Sequence, residues 1–351
     1  MRAFRIAMVL TIAALAFSSA FAQMPELRGG AMLDCAGLPC VDVALASGKH
    51  LKMLIDTGDV SSVLDAKVAK ELGIAVSLVK DADGKDVPGY ARALLAGAKL
   101  GDAMLGDVKV LVMDLSEMEA KDQIPKADGS LAYTAFKDRL LEMDYVGRRV
   151  QLSEVLRGAV ACPGKCGELI TPTFGKKGPP ILVATGFSVN GKEITAQIDS
   201  LFSGTMLIYP TSVEKLGLST EAKSTKKEMF RYTDGGVDMM LSVAESEGFE
   251  GRVLAKDAAL YFAGPEVHLP DGMFDGTVGH ALLEHSVVMM DLKGMRVWLG
   301  SGCGYLWCTS ITPDRSSIPK ITKMRPIRIK KDRPSQIGMS KGLAFDELSY
   351  G

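Results

Sequence analysis

Histidine is scarce in this sequence: the 351 residues contain four, His50, His268, His280 and His285, which leaves little room for imidazole chemistry. Charge of one sign is lacking too. With 41 Lys and Arg against 42 Asp and Glu, the formal net charge is −1. That is too little to build a field that gathers nucleic acid or an anionic membrane. G-x-S-x-G occurs once, as Gly338-Met339-Ser340-Lys341-Gly342, in a Lys- and Pro-rich stretch without the apolar strand that a nucleophile elbow of an α/β-hydrolase follows, and no glycine-rich phosphate loop occurs. HExxH is missing, and His280, Glu284 and His285 are spaced one residue too long for H-x-x-E-H. A five-residue step turns about 140° around a helix, so these two rings are expected to flank a helix rather than share a ligand. Asp81-Ala82-Asp83-Gly84 begins like a calcium loop, but its twelfth position is Arg92 instead of Glu. The 19 methionines are spaced irregularly, as core filling is and copper ligands are not. No metal and no cofactor are expected.

What remains is globular composition, 47% hydrophobic and 24% charged, in a chain long enough for about two domains. The one long apolar run is at the start. Arg2 and Arg5 precede Ile6–Phe17 and then Ala20-Phe21-Ala22, the layout of a secretory signal peptide over residues 1–22. The mature chain is therefore expected to be exported, periplasmic or extracellular, and free of the membrane after cleavage. Six cysteines fall in close pairs, Cys35/Cys40, Cys162/Cys166 and Cys303/Cys308, and in an oxidising compartment local disulfides are expected. Residues 309–351 form a basic tail, with nine Lys and Arg against four Asp and Glu from Asp314 to Glu347, and read as solvated and flexible.

The middle of the chain is a duplication. Leu51–Leu64 reads LKMLIDTGDVSSVL and Ile194–Leu207 reads ITAQIDSLFSGTML, with Asp199 following Asp56 by 143 positions. Asp128-Gly129 recurs as Asp275-Gly276, and Asp144 as Asp291, each 147 positions later. Two homologous halves, 36–155 and 178–302, are joined by a linker over 156–177. Each reads as mostly β. Val41–Ala46 and His50–Ile55 make a strand pair, matched by Ile181–Val189 and Glu193–Ile198 around the hairpin signal Asn190-Gly191. Leu94–Leu100 pairs with Asp107–Met113, and Leu254–Phe262 is read as the counterpart of the former. The predicted class is all-β: two small barrel lobes with a few short helices and a cleft between them.

Asp56-Thr57-Gly58 follows the apolar strand Met53-Leu54-Ile55 and precedes Ser61-Ser62-Val63-Leu64. In this setting, with a second copy, the chain resembles the retropepsin and pepsin-like aspartic protease family, specifically its exported bacterial two-repeat members. The resemblance covers nearly all of 36–302. It implies that Asp56 and Asp199 form a catalytic pair across a pseudo-two-fold axis. Held that close, two carboxylates cannot both ionise, so they share a proton: one acts as base on a water, the other polarises the scissile carbonyl. Thr57 and Ser200 are expected to hydrogen-bond across to the opposite loop, and Gly58 to let the loops approach. Gly84 and Gly235 are candidates for flap tips over the cleft, or for ordinary surface turns.

Two departures stand out. The second motif reads Asp199-Ser200-Leu201, and Leu201 is expected to clash or to force a backbone that glycine takes freely. The first half carries Ala132 where the second keeps Gly279. The leading expectation is an aspartic endopeptidase acting on peptides or proteins, monomeric with internal pseudo-symmetry. One alternative is a catalytically degenerate peptide-binding protein of the same fold. The other is a homodimeric protease that uses Asp56 alone.

Overall fold

The computed structural model describes residues 25–81, 83–116, 125–162, 164–173, 180–218, 227–230, 237–264 and 273–301. The expected signal peptide, Cys303 and Cys308, the basic tail, Gly235 and much of the Gly-Pro part of the linker lie outside them.

The first half contributes strands β1 (Leu27–Ala31), β2 (Leu33–Cys35), β3 (Leu38–Ala44), β4 (His50–Asp56) and β5 (Ser62–Asp65). These are followed by β6 (Val76–Lys80), β7 (Asp86–Leu100), β8 (Ala103–Met113), β9 (Gly129–Ala132), β10 (Leu140–Asp144) and β11 (Arg149–Ser153). The second half has β12 (Gly167–Ile170), β13 (Val183–Val189), β14 (Lys192–Asp199), β15 (Met206–Ile208) and β16 (Lys227–Phe230). It ends with β17 (Val237–Phe249), β18 (Arg252–Ala263), β19 (Gly276–Gly279), β20 (Ser286–Asp291) and β21 (Arg296–Ser301). Short helices α1 (Ala66–Glu71), α2 (Pro210–Lys215) and α3 (His280–Leu283) complete the described elements that the site depends on.

Both halves close into a barrel in the same strand order. In the first, β3-β4-β9-β5-β8-β7 closes by β3 pairing β7; in the second, β13-β14-β19-β15-β18-β17 closes by β13 pairing β17. At the centre of each lies one unusual connection. β4 runs parallel to β9 while β5 runs antiparallel to it, so β9 lies between two strands that are consecutive in sequence. β14, β15 and β19 repeat this arrangement. The repeated Asp-Gly motifs find their cause here. Asp128 Oδ2 accepts from the Lys52 amide at 2.7 Å, and Asp275 Oδ2 from the equivalent Thr195 amide at 2.9 Å. Each carboxylate ties down the strand that ends on the half's other repeated aspartate.

The structure corrects one strand equivalence. Leu254–Phe262 belongs to β18, which pairs parallel with β15 as β8 does with β5, so its counterpart is Asp107–Met113 and not Leu94–Leu100. The segment read as linker contains β12, which pairs with β21 as β1 pairs with β11. Together β1-β11-β10-β20-β21-β12 form a sheet that joins the lobes. Its centre is β10 against β20, with Glu142 directly opposite Met289. Those two are 147 positions apart, so each faces its own repeat equivalent and a local two-fold axis passes between them.

The Asn190-Gly191 turn forms as expected, with φ of 50° and 74° at its two residues, the primed geometry that matches strand twist. Cys35–Cys40 and Cys162–Cys166 are disulfide-bonded. No helix among the described residues is long and apolar enough to cross a membrane.

The two barrels differ at one core position. β7 and β17 carry the same bulge, between Ala98 and Lys99 and between Glu247 and Gly248, which makes Glu247 the equivalent of Ala98. Both are fully buried. Glu247 Oε1 accepts from Thr205 Oγ1 at 3.2 Å, while Oε2 has no partner among the described residues. Burial pushes this carboxyl up to about 7, against 4.5 ordinarily. A raised acid favours folding below its unfolded value and loses that contribution as pH rises toward the folded one. Wild-type protein is therefore expected to lose about 3 kcal/mol between pH 4.5 and 8 relative to Glu247→Gln. Denaturant unfolding of both proteins across that range measures it.

Candidate active site

β4 and β14 each end on an aspartate, and each carboxylate caps its own turn. Gly58 N donates to Asp56 Oδ1 at 3.1 Å; Leu201 N and Phe202 N donate to Asp199 Oδ1 at 2.9 and 3.0 Å. The next residue in each loop reaches into the other half. Ser200 Oγ accepts from Thr57 N at 3.0 Å and donates to the Ile55 carbonyl at 2.6 Å. Thr57 Oγ1 accepts from Ser200 N at 3.1 Å and donates to the Ile198 carbonyl at 2.9 Å. Thr57 and Ser200 are fully buried, so these bonds form where water cannot compete. Two hydroxyl-bearing side chains, each holding the other loop's backbone, bring the strand ends carrying Asp56 and Asp199 together.

Gly58 makes that approach possible. A Cβ on Gly58 would lie 2.6 Å from Asp199 Cγ, closer than any real contact. Its carbonyl also accepts from Gln197 Nε2 at 2.7 Å, a bond between the halves that had no signal in the sequence. Leu201 behaves differently from expectation. It does not adopt a positive φ, and its amide serves Asp199 as Gly58's serves Asp56. The side chain turns toward the first half and packs against Cys35, Cys40 and Leu54. The expected clash is absent because space exists there. Gly279, paired opposite Asp199, does need to be glycine: a Cβ would meet the Phe202 and Gly204 carbonyls at 2.4 Å. Ala132 occupies the matching place opposite Asp56 and donates from its amide to Ser62 Oγ at 3.0 Å.

Burial, then the charge of Asp199, then that of Asp59, push Asp56 well above the usual carboxylate range. Burial also raises Asp199, against the pull of the Leu201 and Phe202 amides, and Asp59 adds to the rise. Two carboxyls that each oppose ionisation and feel a common field titrate as one unit, holding a proton to higher pH than a free carboxyl does. Behind Asp199 the Tyr145 ring meets His280 edge-on at 5.2 Å. Burial and the charges of Asp199 and Glu284 raise the Tyr145 hydroxyl. His280 Nε2 and His285 Nε2 lie 3.4 and 3.6 Å from the two oxygens of Glu284, with side chains 12% and 86% exposed. Among the described residues no three His, Cys, Asp or Glu groups are arranged to hold a metal ion.

Gly84 sits in the turn of the exposed β6–β7 hairpin with φ of 78°, and its amide donates to the Asp81 carbonyl at 3.0 Å.

Residues 41–133 match a family model described as Aspartyl protease. No curated protein matches the sequence. The matched aspartyl protease span holds Asp56, Thr57, Gly58 and Gly84, while Asp199 and Ser200 lie beyond it. The second half of the site thus rests on the geometry just described.

If the crossed hydroxyls hold the two loops, Thr57→Val and Ser200→Ala should each destabilise the protein and should not add. A double-mutant cycle in denaturant is expected to give a coupling of about 1–3 kcal/mol.

Proposed function

We propose that the protein is an exported aspartic endopeptidase whose Asp56 and Asp199 activate a water against a peptide carbonyl. The observation that carries this reading is the reciprocal bracing of Thr57 and Ser200, which sets two strand-end carboxylates side by side within one chain. One carboxylate, ionised, takes a proton from the water as it attacks. The other, protonated, donates to the carbonyl oxygen as charge develops there, and later proton transfer to the amide nitrogen releases the two fragments. Gly58 N and Leu201 N, each bonded to Oδ1 of its own carboxylate, hold those oxygens in place through this exchange.

A single-chain dyad is favoured over a homodimer built from two Asp56 loops, because Thr57 already spends its hydroxyl and amide on Ser200 and Ile198 of the same chain. The accommodation of Leu201 removes the main reason for reading the second half as disabled. Two disulfides are in keeping with passage through an oxidising compartment, and with a periplasmic or extracellular place of work. Substrates in this reading are extended peptides or protein segments, and the chain acts as a monomer.

Activity should follow a bell-shaped pH profile, falling at high pH when both carboxyls ionise and at low pH when both are protonated. Residues 23–351 incubated with a mixed peptide library are expected to cleave, and Asp56→Asn and Asp199→Asn should each cost on the order of 10³-fold or more. Loss in Asp56→Asn alone would indicate a homodimer. Binding of peptides without cleavage by the wild type would indicate a receptor.

A further inference from the structure

The third residue of each aspartate loop faces the strand of the other half, two positions before that half's aspartate. For the first loop the pair is Gly58 and Gln197, joined by the amide-to-carbonyl bond of 2.7 Å. For the second loop the equivalent pair is Leu201 and Leu54, which share one apolar cluster with Cys35 and Cys40. The register makes these the same contact twice, since Gln197 follows Leu54 by 143 positions as Asp199 follows Asp56. One copy is polar and the other is hydrophobic.

The hydrophobic copy has a built platform. Cys35 and Cys40, bonded to each other across the β2–β3 hairpin, are 2% and 0% exposed and pack with Leu54; Leu38, Ala127 and Leu201 close around them. The hairpin itself is fixed by positive φ at Ala36 and Gly37 and by Asp34 Oδ1, which accepts from the Gly37 amide at 2.6 Å. Leu201 is the only residue of the Asp199 loop in this cluster, and its own amide bonds Asp199 Oδ1 at 2.9 Å. Side chain and carboxylate are therefore linked through one residue.

We propose that Leu201, seated on the Cys35–Cys40 disulfide, is a positioning residue that anchors the Asp199 loop to the first half, so that the departure from glycine is a working part of the site. The inference rests on reading Asp56 and Asp199 as the dyad, and adds what holds the second carboxylate in register. At the first loop a side chain is impossible, because Asp199 lies over Gly58. At the second, an apolar pocket is available and Leu fills it. A glycine at 201 would leave the disulfide and Leu54 without their cap, and free the turn that aims Asp199.

The consequence runs against the family pattern: Leu201→Gly, which restores the motif, should impair the enzyme. The expected loss in kcat is between about 10- and 100-fold with KM little changed, since misplacement of a reacting group acts on the chemical step. Leu201→Met should retain activity. Cys35→Ala/Cys40→Ala should lower kcat in the same way, and combining it with Leu201→Gly should add little. Amide hydrogen exchange supplies a readout independent of cleavage. In both variants exchange at positions 201 and 202 should rise about ten-fold or more, with β20 unaffected. Unchanged exchange there, or a Leu201→Gly variant as active as the wild type, would overturn the anchor. If the wild type cleaves nothing but exchange responds as expected, the anchor stands and the endopeptidase reading falls.

Discussion

Everything at this site depends on two hydroxyls crossing a buried boundary. Thr57 and Ser200 each accept from the other's backbone amide and donate to a carbonyl on the opposite strand. Bonds of this kind need loops that come very close, and closeness has requirements of its own. It demands a glycine at 58 and forces two carboxyls into a shared low-dielectric space where neither ionises freely. The raised acidity constants are thus a by-product of the bracing. Barrel closure serves the same end, because the central parallel pairing of β4 with β9 and β14 with β19 delivers both strand ends to the boundary at matched depth.

The halves are equivalent in pairing and unequal in chemistry. Where one has a polar lock, Gln197 to Gly58, the other has an apolar one, Leu201 on Leu54 and a disulfide. Where one barrel is filled by Ala98, the other buries Glu247. A single-chain duplication is free to diverge in this way, since each copy of a contact is encoded separately. A symmetric dimer would have to make both contacts from one sequence.

Much of this was legible beforehand, for physical reasons. Alternating apolar strands, the Asn190-Gly191 turn and two copies of an aspartate at a strand end are local signals, and local signals survive in sequence. The role of Thr57 and Ser200 came with the family resemblance, which implies a hydroxyl after each aspartate reaching across to the opposite loop. Leu201 could not. Its motif position announced a fault, and only the tertiary placement of the β2–β3 hairpin shows the pocket that receives it. Gln197 looked like any polar residue on a strand, and Tyr145 like a core aromatic. β12 was hidden within a stretch rich in cysteine, proline and glycine, because its strand character comes from β21 and not from its own residues. The correction at β18 has the same origin: parallel partners leave no hairpin signature.

The sheet between the lobes has a further meaning. With Glu142 opposite Met289, strands β10 and β20 meet as a surface meets its own copy. Such a contact is self-complementary, the kind that two separate identical subunits use to form a closed pair. Each half also brings its own outer strand to the sheet, β1 for one and β12 for the other. The join between them therefore carries no unique geometry. In structural terms the molecule is a dimer whose subunits share a backbone, and the covalent connection contributes proximity rather than shape.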